Sequence, residues 1–402
     1  MPSITHEHTA ASEVAGGVDT HKDTHTAAVL DTVGRVLGTA VFAADATGYA
    51  ALVDWMRGFG RLIRVGVEGT GVYGAGLARI LREHHIPVVE VDRPDRKTRR
   101  SQGKSDPIDA IQAARTALAE NRTGTPKQRD GRVEALRNLR VARRSAVDQR
   151  ADAQRRIKTL IITAPEELRQ QLRGLPVSKL ITTCAGFDPD HADAATPRTA
   201  AMIALRCLAR RHQQLSTEIT ELDELLTPLV TAINPNLVAA NGIGTDTAGQ
   251  LLVTAGENHH RIRSEAAFAM LCGVAPIPAS SGKTNRHRLN RGGDRHANAA
   301  LYRVTLCRMR WDPRTRAYVE RRTKEGMSKK EIIRCLIGRV LISRSDDRIV
   351  VLGQHQEMAT LPRRMDGQFE YCHSWCAEAP MTDIRDMPHR GPNNEEPARS
   401  LD

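Results

Sequence analysis

The chain is poor in aromatic residues: Phe, Trp and Tyr make up 3% of its 402 positions. With so few rings, stacking of bases on aromatic platforms would not dominate recognition of a nucleic acid, and phosphate contacts through arginine are the better expectation. Paired cysteines are lacking too. The seven, at 184, 207, 272, 307, 335, 372 and 376, are scattered, odd in number and without a CxxC pair, which argues against a disulfide framework and for a reduced, cytoplasmic protein. No apolar run reaches the ~18 residues of a membrane span. The opening MPSITHEHTAASEVAGG has neither the basic n-region nor the apolar h-region of a signal peptide, so export and membrane insertion are not expected.

What the chain does have is an excess of positive charge. Lys and Arg number 59 against 47 Asp and Glu, a net charge of +12, which favours a polyanionic partner. Hydrophobic residues at 40% suffice for real cores, and the length suits two or three domains.

Residues 14–43 read as three short strands, VAGGVDT, THTAAVLD and GRVLGTAVFAA, a β-meander. A helical stretch over 47–58 leads into the apolar run LIRVGVE, a helix beginning near Gly71 and the strand PVVEVD at 87–92. Three antiparallel strands followed by alternating α and β describe an α/β domain of RNase H-like layout over 14–125. Within it, SDPIDAIQAARTALAE opens a further helix with Ser105 as its N-cap.

From 126 to 232 the pattern is helical and charged, an antiparallel coiled-coil-like spacer. Its stretch 127–158 carries eleven Lys or Arg against four acids, with Arg137, Arg140 and Arg144 on one helical face. That stripe suits a phosphate backbone, although a solvated helix face has the same composition. Residues 233–340 form a third, mostly helical part. Gly242-Ile243-Gly244 there separates two helical patterns like a helix-hairpin-helix, or an ordinary αα-hairpin. A second basic patch follows in a loop-rich segment with Lys283, Arg286, Arg288, Arg291 and Arg295. The tail 341–402 mixes Pro, Asn, Arg and acids without period and reads as disordered, with YCHSWC at 371–376 an accident rather than a metal site.

Asp19 closes the first strand and Glu68 the fourth, so in an RNase H-like sheet they lie side by side at one strand end. Asp106 and Asp109 are three apart on a helix and complete an acidic cluster. Four carboxylates suit two Mg²⁺ or Mn²⁺ ions ~3.5–4 Å apart, which would stabilise attacking and leaving oxygens in phosphoryl transfer. Gly-Thr-Gly after Glu68 leaves room for a phosphate. Taken singly, each acid is also a turn cap, an ion-pair partner or a helix N-terminal charge.

Five blocks resemble a known family: GVDTHKDTH at 17–25, GVEGTGVYG at 66–74, KSDPIDA at 104–110, NGIGTDTAGQLL, and GVAPIPASSGKTNRHRLNRGGDRHANAALYR. These resemble the DEDD-type insertion-sequence transposases, also described as bridge-RNA-guided serine recombinases, over roughly 14–340. The resemblance implies a RuvC-like N-terminal domain whose acids are Asp19, Glu68, Asp106 and Asp109, and a small, mostly α transposase domain with a nucleophilic serine at Ser281. It also implies excision and insertion of a mobile element by a homo-oligomer, dimer or tetramer, on two DNA segments aligned by an element-encoded guide RNA. After EGMSKKEIIRCL the chain departs from the family pattern, and a frameshift near residue 337 would explain the change.

Rival readings remain at this point. Actin-like sugar kinases share the core and the strand-Asp turn, but the second phosphate loop and Gly-rich adenosine motif they need are not found in the second half. A Holliday-junction-type nuclease would use the acids without Ser281, and an inactive nucleic-acid-binding relative would use neither.

Overall fold

The structure, a computed structural model, describes residues 12–91, 105–120, 123–262, 264–275, 277–280, 287–288, 290–340, 344–345 and 348–349. These divide into two compact units. One holds the described residues up to 239 together with 243–262, and the other holds 240–242 together with those from 264 to 349.

The first unit opens on a six-stranded sheet. Strands β1 (Glu13–Thr20), β2 (Thr24–Asp31) and β3 (Val36–Ala43) form the expected antiparallel meander. Helix α1 (Ala46–Arg57) leads to β4 (Arg61–Glu68), and α2 (Ala75–Glu83) to β5 (Val88–Val91), both strands parallel to β1. Helix α3 (Asp106–Ala119) and the short β6 (Thr123–Gly124) complete the order β3-β2-β1-β4-β5-β6. This is the RNase H-like arrangement of an α/β domain.

The central strands are covered on both faces, which is why β1 and β2 are almost wholly buried. On one side Val14, Val18, Val29 and Val65 pack against Leu52 and Met56 of α1 and Leu77 and Leu81 of α2. Each such side chain contributes about 1.5–3 kcal/mol on burial. On the other side Ala28 and Leu30 meet Ala110 and Ala114 of α3.

The contact with α3 is unusually close. A Cβ on Gly17 would lie 2.1 Å from the Ala114 nitrogen and 2.2 Å from the Ala110 oxygen, and one on Gly66 would lie 2.4 Å from the Ala113 oxygen. No side chain fits there, so the helix backbone rests directly on the sheet. One boundary differs from the sequence expectation. The helix foreseen near Gly71 starts at Ala75, because Gly69, at φ 70°, turns the chain and accepts hydrogen bonds from the Val72 and Gly74 amides. Ser105 is the N-cap of α3, as expected, although its hydroxyl makes no capping bond.

Two long helices follow, α4 (Arg132–Thr163) and α7 (Pro197–Ile233), separated by the short α5 (Glu166–Leu172) and α6 (Val177–Ala185). Ala146 packs with Leu215 and Ile219, while Ile157 and Ile161 share a cluster with Leu205 and Ala209. Positions climb along one helix as they fall along the other, so the pair is antiparallel. After α8 (Pro235–Ala239), α9 (Thr245–Ala255) packs on α4 and α7. The two helices flanking Gly242-Ile243-Gly244 therefore both belong to the first unit, whereas the sequence pattern grouped them with the C-terminal part. No described helix is long and apolar enough to cross a membrane.

In the second unit α10 (Glu265–Leu271) precedes a short antiparallel pair, β7 (Ile277–Pro278) with β8 (His287–Arg288). Helices α11 (Arg295–Trp311), α12 (Pro313–Lys324) and α13 (Lys329–Val340) then pack together, burying Ala300, Leu301, Val304 and Ile332. Within the tail expectation of 341–402, Arg344–Ser345 pairs antiparallel with Arg348–Ile349, and the rest, YCHSWC included, lies outside the described residues. Cys184, Cys207 and Cys307 are free thiols, whereas Cys335 is disulfide-bonded, which departs from the reduced state expected.

Candidate active site

Asp19 is the penultimate residue of β1 and Glu68 the last of β4. Val18 lies opposite Val67 in the parallel pair, so the two acids follow side by side at one edge of the sheet. The Thr20 hydroxyl donates to the Glu68 carbonyl oxygen at 2.8 Å and ties the strand ends together. Side chains alternate along a strand, so Asp19 faces the same way as Gly17, toward α3. That helix carries Asp106 and Asp109 in its first turn.

The result is a compact group. One ligand atom each from Asp19, His21 and Asp106 lie within 4.8 Å of one another. His21 Nε2 stands 3.2 Å from Asp19 Oδ2 and 3.4 Å from Asp106 Oδ1. Asp109, 6% exposed, lies near enough for its charge to act on Asp19. Glu68 is outside the close group, at the neighbouring strand end.

Burial pushes the Asp19 carboxyl above the ordinary carboxylate range. His21 pulls it back, and the charges of Asp109 and Asp106 add to the rise. Packing has thus gathered acids that repel one another, with one imidazole between two of them. This donor set fits a hard divalent cation, with Asp19 and Asp106 nearest and Asp109 and Glu68 flanking. His21 was missed from sequence. Its only signal was the polar THKDTH turn, where nothing in the spacing says which side chain folds back.

The arginine stripe resolves into three different environments. Arg137 makes a forked bond to Glu134, Nε to Oε1 at 2.8 Å and to Oε2 at 2.9 Å. Arg140, 13% exposed at its side chain, points inward: Nη1 donates to the Asp246 carbonyl at 2.8 Å and carboxylate at 3.0 Å, and Nη2 to Gln250 at 3.2 Å. Its neighbour Arg143 binds Asp223 of α7, Nη2 to Oδ2 at 3.0 Å. Of the stripe, Arg144 is the most open, 54% exposed and 3.8 Å from Asp148.

In the second unit Arg288, Arg291 and Arg295 are exposed on β8, the following loop and the start of α11. Ser281, Lys283 and Arg286 lie outside the described residues, in the sequence between β7 and β8; Ser280 is described and exposed. A basic surface that the sequence reading did not single out lies on α12, where Arg314, Arg316, Arg321 and Lys324 are exposed. Beside it Arg310 sits 4.8 Å over the exposed ring of Trp311.

A sheet ordered 3-2-1-4-5 with acids ending strands one and four, and two more on the helix laid across them, defines a RuvC-like, DEDD-type protein. Comparison with known families makes this particular. Residues 16–163 match the IS110-type DEDD model, described as a transposase, and residues 235–320 match the model described as the transposase IS116/IS110/IS902 family. Together the two cover more than half of the chain, which belongs to the IS110-type DEDD transposase family. A relative, the insertion element IS110 uncharacterized 43.6 kDa protein of Streptomyces coelicolor, is 30% identical over 102 residues. The match covers 25% of this chain and 25% of the relative.

Proposed function

We propose that this chain cuts and rejoins DNA to move a mobile element, using the acids around Asp19 and a serine nucleophile at Ser281. The observation that carries the reading is the gathering of Asp19 and Asp106 to either side of His21, with buried Asp109 adding its charge, at the edge of an RNase H-like sheet. A fold gains nothing in stability by crowding unneutralised carboxylates, so the arrangement calls for a positive ligand.

Divalent cations, Mg²⁺ or Mn²⁺, supply charge neutralisation for the attacking and leaving oxygens of phosphoryl transfer. Asp19, Glu68, Asp106 and Asp109 would hold them, and the pair would be complete only with DNA phosphate present. Ser281 attacks phosphorus through its hydroxyl oxygen and gives up its proton; that bond forms as the strand's own oxygen leaves and takes up a proton, giving a protein–DNA ester and a free strand hydroxyl. Lys283, Arg286, Arg288 and Arg291 hold the scissile phosphate, while Arg295, Arg144 and the α12 arginines follow the backbone. An element-encoded guide RNA aligns the two DNAs, and the active species is a dimer or tetramer. Support for the serine and the guide is the family resemblance of the SSG block and its surroundings.

Trapping tests the reading. A denaturation-resistant protein–DNA adduct is expected with the wild type and Ser280→Ala, and none with Ser281→Ala. Cleavage without any adduct would favour a metal-dependent nuclease instead. An adduct surviving Ser281→Ala would pass the role to Ser280.

A further inference from the structure

His21 is the part of the acidic group that the four-carboxylate scheme leaves without a task. Its Nε2 lies within hydrogen-bonding reach of both Asp19 Oδ2, at 3.2 Å, and Asp106 Oδ1, at 3.4 Å. Adjacent ligands of a six-coordinate ion with bonds of ~2.1 Å are ~3 Å apart, and opposite ones ~4.2 Å. Both Nε2 distances are close to the spacing of adjacent ligands on a single ion, and the three ligand atoms all lie within 4.8 Å of one another. The ring is 45% exposed at the edge of the group, so it can turn without disturbing the core.

We infer that His21 is a third protein ligand to one of the two cations, so that this position fills before DNA binds and prefers Mn²⁺ to Mg²⁺. The inference rests on the acidic-site reading above and refines it. Sites for Mg²⁺ usually offer one or two carboxylates and leave the remaining positions to water and substrate phosphate. A third ligand from the protein reduces that dependence on phosphate. An imidazole also shifts the preference away from a purely oxygen-seeking ion toward a transition metal. The second position, left to Asp109 and Glu68, keeps the ordinary need for DNA phosphate. Without an ion, Nε2–H donates to the two carboxylates; with one, the ring carries its hydrogen on Nδ1 and turns the Nε2 lone pair to the metal.

The test titrates the full chain with Mn²⁺ alone, in the absence of DNA, by calorimetry and by electron paramagnetic resonance. One Mn²⁺ per chain is expected, with nitrogen hyperfine coupling from a directly bound imidazole. In His21→Ala and His21→Gln, Mn²⁺ affinity should fall roughly 10–100-fold, the coupling should vanish, and Mg²⁺ affinity should fall by a smaller factor. Wild-type Mn²⁺ affinity in His21→Ala, a coupling that survives it, or no Mn²⁺ bound without DNA would each overturn the assignment. Asp19→Ala separates the two levels of failure. If it abolishes Mn²⁺ binding while His21→Ala leaves it intact, only the histidine is wrong. If it binds Mn²⁺ like the wild type, the acidic-site reading itself falls.

Discussion

The two charged regions of the first unit are built on opposite principles. Around Asp19, backbone packing gathers like charges, with one imidazole between two of them. Along α4, the arginines are dispersed into pairs: Arg137 with Glu134, Arg140 with Asp246, Arg143 with Asp223. Charge matched one to one within the chain does structural work, and like charge crowded together marks where a ligand belongs. Sequence counts could not separate these cases, because eleven basic residues over 127–158 look like a phosphate track until their partners are known.

That contrast can be broken most sharply at the acids. Asp109→Ala or Asp106→Ala should lower the DNA-cleavage rate by at least roughly 10²–10³-fold without loss of fold by circular dichroism. Near-normal cleavage in both would return the cluster to a packing role. At the arginines the expected pattern is reversed. Arg140→Ala should cost about 2 kcal/mol, since it removes charge-assisted bonds at a largely buried position, read as a lower urea midpoint with an unchanged slope. If the midpoint holds, the tie to Asp246 is incidental.

Arg144→Glu sharpens the comparison from the other side. It should leave stability unchanged, weaken binding to any duplex, and reduce the salt slope of binding by about one unit. An unchanged slope would make Arg144 a solvated surface residue as well.

The smallest effect concerns Asp19 without metal. Its folded-state carboxyl is raised above the usual 3.8, so the folded protein holds more protons there than the unfolded chain. Stability is therefore lost as pH rises from the ordinary carboxylate range through the raised value. In metal-free protein, Asp19→Asn should remove that fall and raise the thermal midpoint at neutral pH by about 2 °C. A pH profile identical to the wild type would contradict the repulsion argument.

Much of the sheet was legible because its signals are local. Strands with Asp19 and Glu68 at their ends, and a helix opening with Asp106 and Asp109, are visible in short windows of sequence. What stayed hidden depends on partners far along the chain. Arg140 turns inward because α9, more than a hundred residues on, presents Asp246 and Gln250. His21 folds back through a turn whose geometry no periodicity encodes. The break between Gly242 and Ile243 is likewise set by which neighbours each side packs with, not by the glycines that announce it.

The absence of a side chain at Gly17 has a genetic corollary. The separation of α3 from β1 is held by a hydrogen atom, and a single methyl there would meet the helix backbone at 2.1 Å. Gly17→Ala would lift the helix and carry two carboxylates away from a third while every acid remained in the sequence. A variant of this chain can thus lose the acidic group with its signature motif intact, and counting acids would not reveal the loss.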